Sequence, residues 1–251
     1  MKFVKYERQG SIVLVTMNRA DSLNAMNLEM MDELAQAWTK LETDSEARVA
    51  VLTGVGKAYC VGFDMKQMAD GDLHPSALQT MVPLPFSPRS QCKPVIAAVN
   101  GPAIGAGFDF MAMEADIIVA AESAIFGMPE VIYGMASLGS PFAWANVPRC
   151  VAMELVLTGE SISAQRAYEA GFVNRVVPDH ELMDTATKIA ETIAANAPVA
   201  VRQSRRNLLQ ATKPTEVSRI EETYAAARPD MCESTAQGVN AFILKQRPVW
   251  R

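Results

Sequence analysis

The run from Pro94 to Ala121 constrains this chain more than any other segment. It is the longest apolar stretch, yet Asn100, Asp109, Glu114 and Asp116 interrupt it, and Gly101, Gly105 and Gly107 lie inside it. A membrane span needs about 20 mostly apolar residues, so the run reads as the interior of a soluble protein, and no membrane partner is expected. Val95 to Val99 predicts a buried strand, stopped by Asn100-Gly101-Pro102. A helix is predicted from near Gly105 to about Ala115, and Ile117 to Ala120 predicts the next strand. A strand, a helix and a strand in that order form a crossover unit whose sheet is covered on both faces, an α/β arrangement.

The flanking sequence extends the pattern. Ser11 to Met17 alternates and is β-branched, and Lys2 to Arg8 is its expected hairpin partner across Gln9-Gly10. Asn27 to Thr43 places Met30, Met31, Leu34, Ala37, Trp38 and Leu41 at helical spacing, with Asn27 as N-cap. Val49 to Leu52 predicts a short buried strand, and Gly54 to Gly62 a loop. Ser163 to Ala170 predicts a short helix stopped by Gly171, and Phe172 to Val177 a last strand ended by Pro178. After Glu181 the pattern is helical, punctuated by Pro198, Pro214 and Pro229. The expected organisation is an α/β core over residues 1–195 and a helical region over 196–251. Met81 to Pro88, with three prolines, reads as a mobile loop.

Composition narrows the function classes. With 49% hydrophobic and 20% charged residues, the chain is not a disordered one. A net charge of −5 suits nucleic acid poorly, because duplex binding rests on neutralising phosphates. An anionic small molecule is still compatible, given a few gathered cations and helix N-termini. Cys60, Cys92, Cys150 and Cys232 form no CxxC pair, and His74 and His180 are the two histidines. No metal site is expected, and each cysteine reads as a small buried hydrophobe in a reducing, cytoplasmic compartment. Met1 to Gln9 carries Lys2, Lys5, Glu7 and Arg8 with no apolar run behind them, unlike a secretory signal.

Two segments bring a strand end to small residues: Ala58 to Asp64, and Val99 to Asp109. Glycine lets a ligand approach the backbone, and a helix N-terminus presents unpaired N–H groups. Two such groups from separate loops can hold one carbonyl oxygen as it becomes negative, each worth about 3–4 kcal/mol in the transition state. The same glycines also suit plain tight turns. Neither a GxGxxG spacing nor a following GKS or GKT is present. Two carboxylates sit close behind, Asp109 and Glu130. Glu130 lies among Phe126, Met128, Val131, Ile132 and Tyr133, a setting that raises a carboxyl pKa towards working pH.

Taken together these segments resemble the crotonase family, the enoyl-CoA hydratases and isomerases. Asn18-Arg19 and Asp21 to Asn27 are similar to the family's N-R-P-x-x-x-N-A-L-N stretch, with Ala20 for proline and Met26 for leucine. Ala58 to Met65 resembles F-x-A-G-A-D-L, and Ile96 to Asp109 resembles I-A-A-V-N-G-x-x-x-G-G-G-x-E. Phe126 to Glu130 resembles F-x-x-P-E. Leu157 to Glu160 and Ala164 to Val173 resemble L-T-G-x-x-x-x-A-x-x-A-x-x-x-G-L-V. Several blocks in the right order are far more specific than one.

The resemblance implies a spiral of strand-strand-helix units with a C-terminal helical oligomerisation region, building a homotrimer or a dimer of trimers. It implies an acyl-CoA substrate and no separate cofactor. By position, the backbone N–H groups of Phe63 and Ala106 are the expected oxyanion hole, and Glu130 and Asp109 the expected catalytic carboxylates. Asn24, Ala25, Met26, Asp64, Met65, Lys66 and Gly105 are the residues expected beside CoA and substrate. Arg202, Arg205 and Arg206 read as a solvated face, or as contacts to CoA phosphates or a neighbouring subunit.

Departures from the family pattern bear on the reaction. Hydratases resemble one another in two glutamates that hold one water; here the first is Asp109, one methylene shorter. Where hydratases carry a compact glycine after the second glutamate, this chain has Leu138. The expected reaction is hydration of a 2-enoyl-CoA to a 3-hydroxyacyl-CoA. The alternatives are isomerisation of a 3-enoyl-CoA by Glu130 alone and binding of a CoA thioester with little catalysis. Dienoyl-CoA isomerases share the Asp and Glu positions but use a further aspartate where Leu138 stands. The Asp70 to Pro88 segment, Phe108, Tyr133, Phe142 and Trp144 are expected to shape the acyl pocket.

Overall fold

The computed structural model describes residues 1–72, 85–88, 91–136, 147–211 and 236–246. The chain opens with a hairpin, β1 (Val4–Gln9) and β2 (Ile12–Met17), in the antiparallel register Val4 to Met17 and Gln9 to Ile12. Asn27 then caps α1 (Leu28–Thr43) by accepting the Met30 N–H at 3.0 Å. The six apolar positions read from its sequence are its buried residues.

Parallel strands follow: β3 (Val49–Gly54), β4 (Val95–Val99), β6 (Ile117–Ala121) and β9 (Arg175–Val177). They complete a six-stranded sheet in the order β1-β2-β3-β4-β6-β9, parallel throughout except for the opening hairpin. A second sheet contains β5 (Ala103–Ile104), β7 (Ile125–Gly127) and β8 (Ser161–Ser163), in the order β5-β7-β8. Single parallel bridges, Cys60 with Ala103 and Met26 with Phe63, tie two loops to this layer.

The side-chain period of two in a strand explains why the long sheet is apolar on both faces. Ala50, Leu52, Val95, Ala97 and Val99 face α1 and the second sheet, within the larger core. Val49, Val51, Ile96, Ala98 and Val119 face the other way and are covered by α5 (Leu182–Ala195). That helix places Leu182, Ala186, Ala190 and Ala194 on one face, so small residues let it lie close on the strands.

The remaining helices are α2 (Met65–Asp70), α3 (Arg149–Thr158), α4 (Ala164–Glu169) and α6 (Pro198–Ala211). A further helix spans 236–243. The side chain of Arg205 leaves α6 to meet Asp116 at 2.7 Å and is 9% exposed, so it is not part of a solvated basic face. Arg206 on the same helix is exposed.

Several expectations change. The helix expected at Gly105 to Ala115 is a wide π-turn over Gly107–Ala112, in which Met113 N–H reaches back to the Phe108 carbonyl. The last strand is Arg175–Val177 only, because Phe172 and Val173 turn into the core. Of the Met81 to Pro88 loop, residues 81–84 lie outside the described residues, and the described part is pinned. Trp38 donates its indole N–H to the Phe86 carbonyl at 2.7 Å, and Ser87 bonds to Glu114. Cys60 is buried as expected, but Cys92 and Cys150 are exposed, and Cys232 and His74 lie outside the described residues. No helix among the described residues is long and apolar enough to cross a membrane.

Candidate active site

Glu130 sits at the start of a 3-10 turn, Pro129–Tyr133, that follows β7. Proline at the first position suits such a turn, since its missing N–H has no partner to lose. The carboxyl is desolvated, the direction expected from the sequence, although Ile132 itself is 40% exposed. Burial pushes the Glu130 carboxyl up to about 7, with its own backbone N–H pulling the other way. Its Oε2 is buried and has no hydrogen-bond partner among the described residues. A buried acceptor without a donor is uncommon in a folded protein and marks a group held for something other than stability.

Glu130 is aimed at the end of β5. A Cβ added to Gly105 would stand 2.7 Å from Glu130 Oε1. Gly105 also takes φ +55°, which a glycine adopts without strain. Gly105 N–H donates to the Gly127 carbonyl at 2.8 Å, fixing the β5 end against β7.

Two backbone N–H groups next to this carboxyl lack acceptors among the described residues, those of Phe63 and Ala106. Peptide planarity sets their directions, because the N–H of each unit points opposite the preceding carbonyl. The Gly105 carbonyl accepts from Phe108 and Asp109 within the π-turn, so Ala106 N–H points out of that turn's open end. The Gly62 carbonyl accepts the Met26 N–H at 2.7 Å, so Phe63 N–H points away from Met26. The two loops touch here: a Cβ on Gly62 would lie 3.0 Å from the Ile104 carbonyl oxygen and 3.4 Å from Ala106 N. Ile104 N–H also donates to the Cys60 carbonyl at 2.9 Å.

Asp109 lies one turn along, on the π-turn, and is 1% exposed. Wide turns of this kind recur at functional sites because they redirect side chains that a regular helix would stack.

The residues expected beside CoA divide into two groups. Met65 is partly exposed and Lys66 exposed at the start of α2, and Ala25 is nearly buried. Asn24 and Met26 have no exposed surface, so their side chains build the turn rather than meet a ligand. Asn24 Oδ1 accepts the Arg19 N–H at 2.8 Å, and its Nδ2 donates to the Val55 and Ala58 carbonyls at 2.9 and 2.8 Å. Asp64 is likewise committed: Oδ1 caps α2 by accepting the Lys66 N–H, and Oδ2 meets Arg19 at 2.9 Å. That role of Arg19 was not read from the sequence. Its adjacency to Asn18 in a recognised block was the available signal, but the partner lies 45 residues away.

Of the residues expected to shape the acyl pocket, Phe108 does not. It is fully buried against Phe126 and Phe172, with ring centres 5.4 and 5.7 Å away. Tyr133 is partly exposed and meets Phe242 edge-on at 5.4 Å. The Phe63 ring lies 6.4 Å from both Phe86 and Phe110, forming an aromatic wall beside its own N–H. Leu138, Phe142, Trp144 and most of the Asp70 to Pro88 segment lie outside the described residues.

Known proteins agree with this geometry at the level of family. Residues 7–251 match the family profile described as enoyl-CoA hydratase/isomerase. A mevalonyl-coenzyme A hydratase of Aspergillus fumigatus is 35% identical, over 96% of this chain and 91% of that protein. A 2,3-dehydroadipyl-CoA hydratase of Escherichia coli K12 is 32% identical, over 96% of this chain and 95% of that protein. The solved structure of a carnitinyl-CoA dehydratase from Mycobacterium avium superposes with a TM-score of 0.86 at 33% identity, covering 100% of this chain and 99% of that one. The fold it shares with that structure, and matches along nearly the whole sequence, identify this chain as a member of the enoyl-CoA hydratase/isomerase family.

Proposed function

We propose that the protein adds water across the double bond of a 2-enoyl-CoA to give a 3-hydroxyacyl-CoA. The observation that carries this reading is the Glu130 carboxyl, pushed up to about 7 and, among the described residues, unpartnered at Oε2 beside two backbone N–H groups without acceptors. A carboxyl with that pKa exchanges a proton in either direction near neutral pH.

In this mechanism the thioester oxygen accepts from the N–H groups of Phe63 and Ala106. Glu130, as carboxylate, takes a proton from a water as its oxygen bonds to C3. The electron pair of the double bond moves towards the thioester oxygen, where the enolate is held. Glu130, now a carboxylic acid, gives its proton to C2. Asp109 orients the water. The two donors stabilise charge that develops only in the transition state, which is where binding energy raises the rate. The names of the relatives, two of them hydratases and one a dehydratase, support addition or removal of water over other chemistry.

CoA lies along Ala25, Met65 and Lys66 in this reading, and the protein needs no other cofactor. It acts as a homotrimer or a dimer of trimers in the cytoplasm and does not bind nucleic acid.

A second reading, isomerisation of a 3-enoyl-CoA, is favoured by one observation: Glu130 Oε2, buried and without a hydrogen-bond partner among the described residues, is the kind of single carboxylate oxygen that a C2-to-C4 proton transfer needs. Steady-state absorbance separates the two. Loss of the conjugated enoyl-thioester band with crotonyl-CoA is the expected result. A rise of that band with a 3-enoyl-CoA, and no change with crotonyl-CoA, overturns hydration in favour of isomerisation. Silence with both, while CoA esters still bind, points to a binding protein.

A further inference from the structure

We propose that Arg19 is a positioning residue for the reaction, because its guanidinium fixes the direction of the Phe63 N–H. This rests on the reading of that N–H as an oxyanion donor.

The direction of the Phe63 N–H is not set by residue 63. It is set by Met26, whose N–H donates to the Gly62 carbonyl at 2.7 Å and whose carbonyl accepts the Asp64 N–H at 2.9 Å. Met26 therefore straddles Phe63 and turns its N–H outward. Any rotation of the 24–26 segment would rotate the donor with it.

That segment is strained. Leu23 and Asn24 are consecutive non-glycine residues at φ 51° and 56°. Left-handed backbone in ordinary residues persists only where surrounding contacts over-determine it. Asn24 supplies one set of contacts through the Arg19 N–H and the Val55 and Ala58 carbonyls. Arg19 supplies the other. One arm of its guanidinium donates to the Ala25 carbonyl, and the other to Asp64 Oδ2 at 2.9 Å. A single planar side chain thus joins the residue before Met26 to the residue after Phe63. The side chains of Arg19 and Asp64 are 15% and 13% exposed, so water replaces these bonds poorly. Phe3 lies under the guanidinium at 5.3 Å and holds its plane. The two-armed fork is a property of arginine that lysine lacks.

The test uses a saturated acyl-CoA labelled with carbon-13 at its thioester carbonyl, a ligand with no double bond to hydrate. Its infrared carbonyl stretch reports polarisation by the two donors directly. Wild-type protein is expected to move that band to lower frequency on binding. Arg19→Gln should lose most of the movement and lower kcat by about 10- to 100-fold, with KM changed less than about 3-fold. Arg19→Lys should fall between, since it can meet Asp64 or Ala25 but not both. Asp64→Asn, which keeps an oxygen for the Lys66 N–H, should reproduce the Arg19→Gln result, and it carries the test if Arg19→Gln fails to fold. Full band movement in a folded Arg19→Gln or Asp64→Asn protein overturns the proposal. So does activity lost only in proportion to the folded fraction. No band movement in the wild type overturns the oxyanion reading itself, which distinguishes the two failures.

Discussion

The Glu130 carboxyl occupies the space that a side chain at Gly105 would need: a Cβ on Gly105 would stand 2.7 Å from Oε1. The atom met is the free end of a flexible side chain, so Gly105→Ala moves the carboxyl rather than the backbone. The added strain at φ +55° costs about 1 kcal/mol, which a folded domain tolerates. The expected outcome is a folded protein whose kcat is lower by about 100-fold, because reacting groups displaced by an ångström lose most of their advantage. Steady-state kinetics beside a thermal melt checks this. A variant at full rate would show that Glu130 is not held where catalysis needs it.

Glu130→Gln should separate stability from activity. Burial raises the folded-state carboxyl pKa from 4.5 to about 7, so the folded protein binds the proton more tightly than the unfolded chain. Stability linked to this group is therefore complete below about pH 4.5 and falls as pH rises towards 7. Glutamine carries no such charge. Denaturant melts should show Glu130→Gln more stable than wild type at pH 8, by on the order of 2 kcal/mol, with the difference shrinking at acid pH. The rate should drop by several orders of magnitude. In the wild type, hydration should fall as pH drops below about 7, as the carboxylate is protonated.

Asp109→Asn tests the division of labour between the two carboxylates. The residue is 1% exposed and asparagine is nearly isosteric, so the site should keep its shape. If Asp109 orients the water, crotonyl-CoA hydration falls by about 100-fold or more. Any exchange of the C2 proton catalysed by Glu130 should change far less. Deuterium uptake at C2 of a saturated acyl-CoA measures that exchange, and equal loss of both activities would remove Asp109 from a water-specific role.

Glu33 offers a prediction away from the site. Its carboxylate accepts the N–H groups of Lys2, Phe3 and Val4 at 2.7, 2.7 and 2.8 Å, clipping the start of β1 to α1. Burial pushes its pKa up, but those three donors outweigh burial and hold the carboxyl below its usual range. Stability from this group is present at neutral pH and is lost as pH falls through the folded-state value. Solvent screening reduces what these bonds contribute at a partly exposed carboxylate, so Glu33→Ala should cost about 1 kcal/mol at pH 7 and progressively less in acid, read from denaturant midpoints.

How much of this was legible in the sequence varies with the range of the interaction. The β1–β2 hairpin, the Asn27 cap, the buried face of α1 and the strand Val95–Val99 all follow from local periodicity and turn chemistry. The second sheet does not, because strands of two and three residues carry no period. Helix α3 was missed for a related reason: only Val151 and Leu155 are buried in it. The apolar setting of Glu130 could be read from its immediate neighbours, and it proved correct in direction.

The sequence by itself determined the order of the elements, the α/β class, the family blocks and the two carboxylates, since each depends on residues close together in the chain. Only the tertiary structure decided what those residues do to one another. It made Gly105 the seat of the Glu130 carboxyl, turned Asn24 inward as a brace and enlisted Arg19 against Asp64. It also converted an expected helix into the π-turn that carries Asp109. These are contacts between segments distant in sequence, and their direction is set by peptide planes and pleats that register only when the sheets are assembled. A one-residue slip would reverse every such direction, which is why the pattern of residue types alone does not contain them.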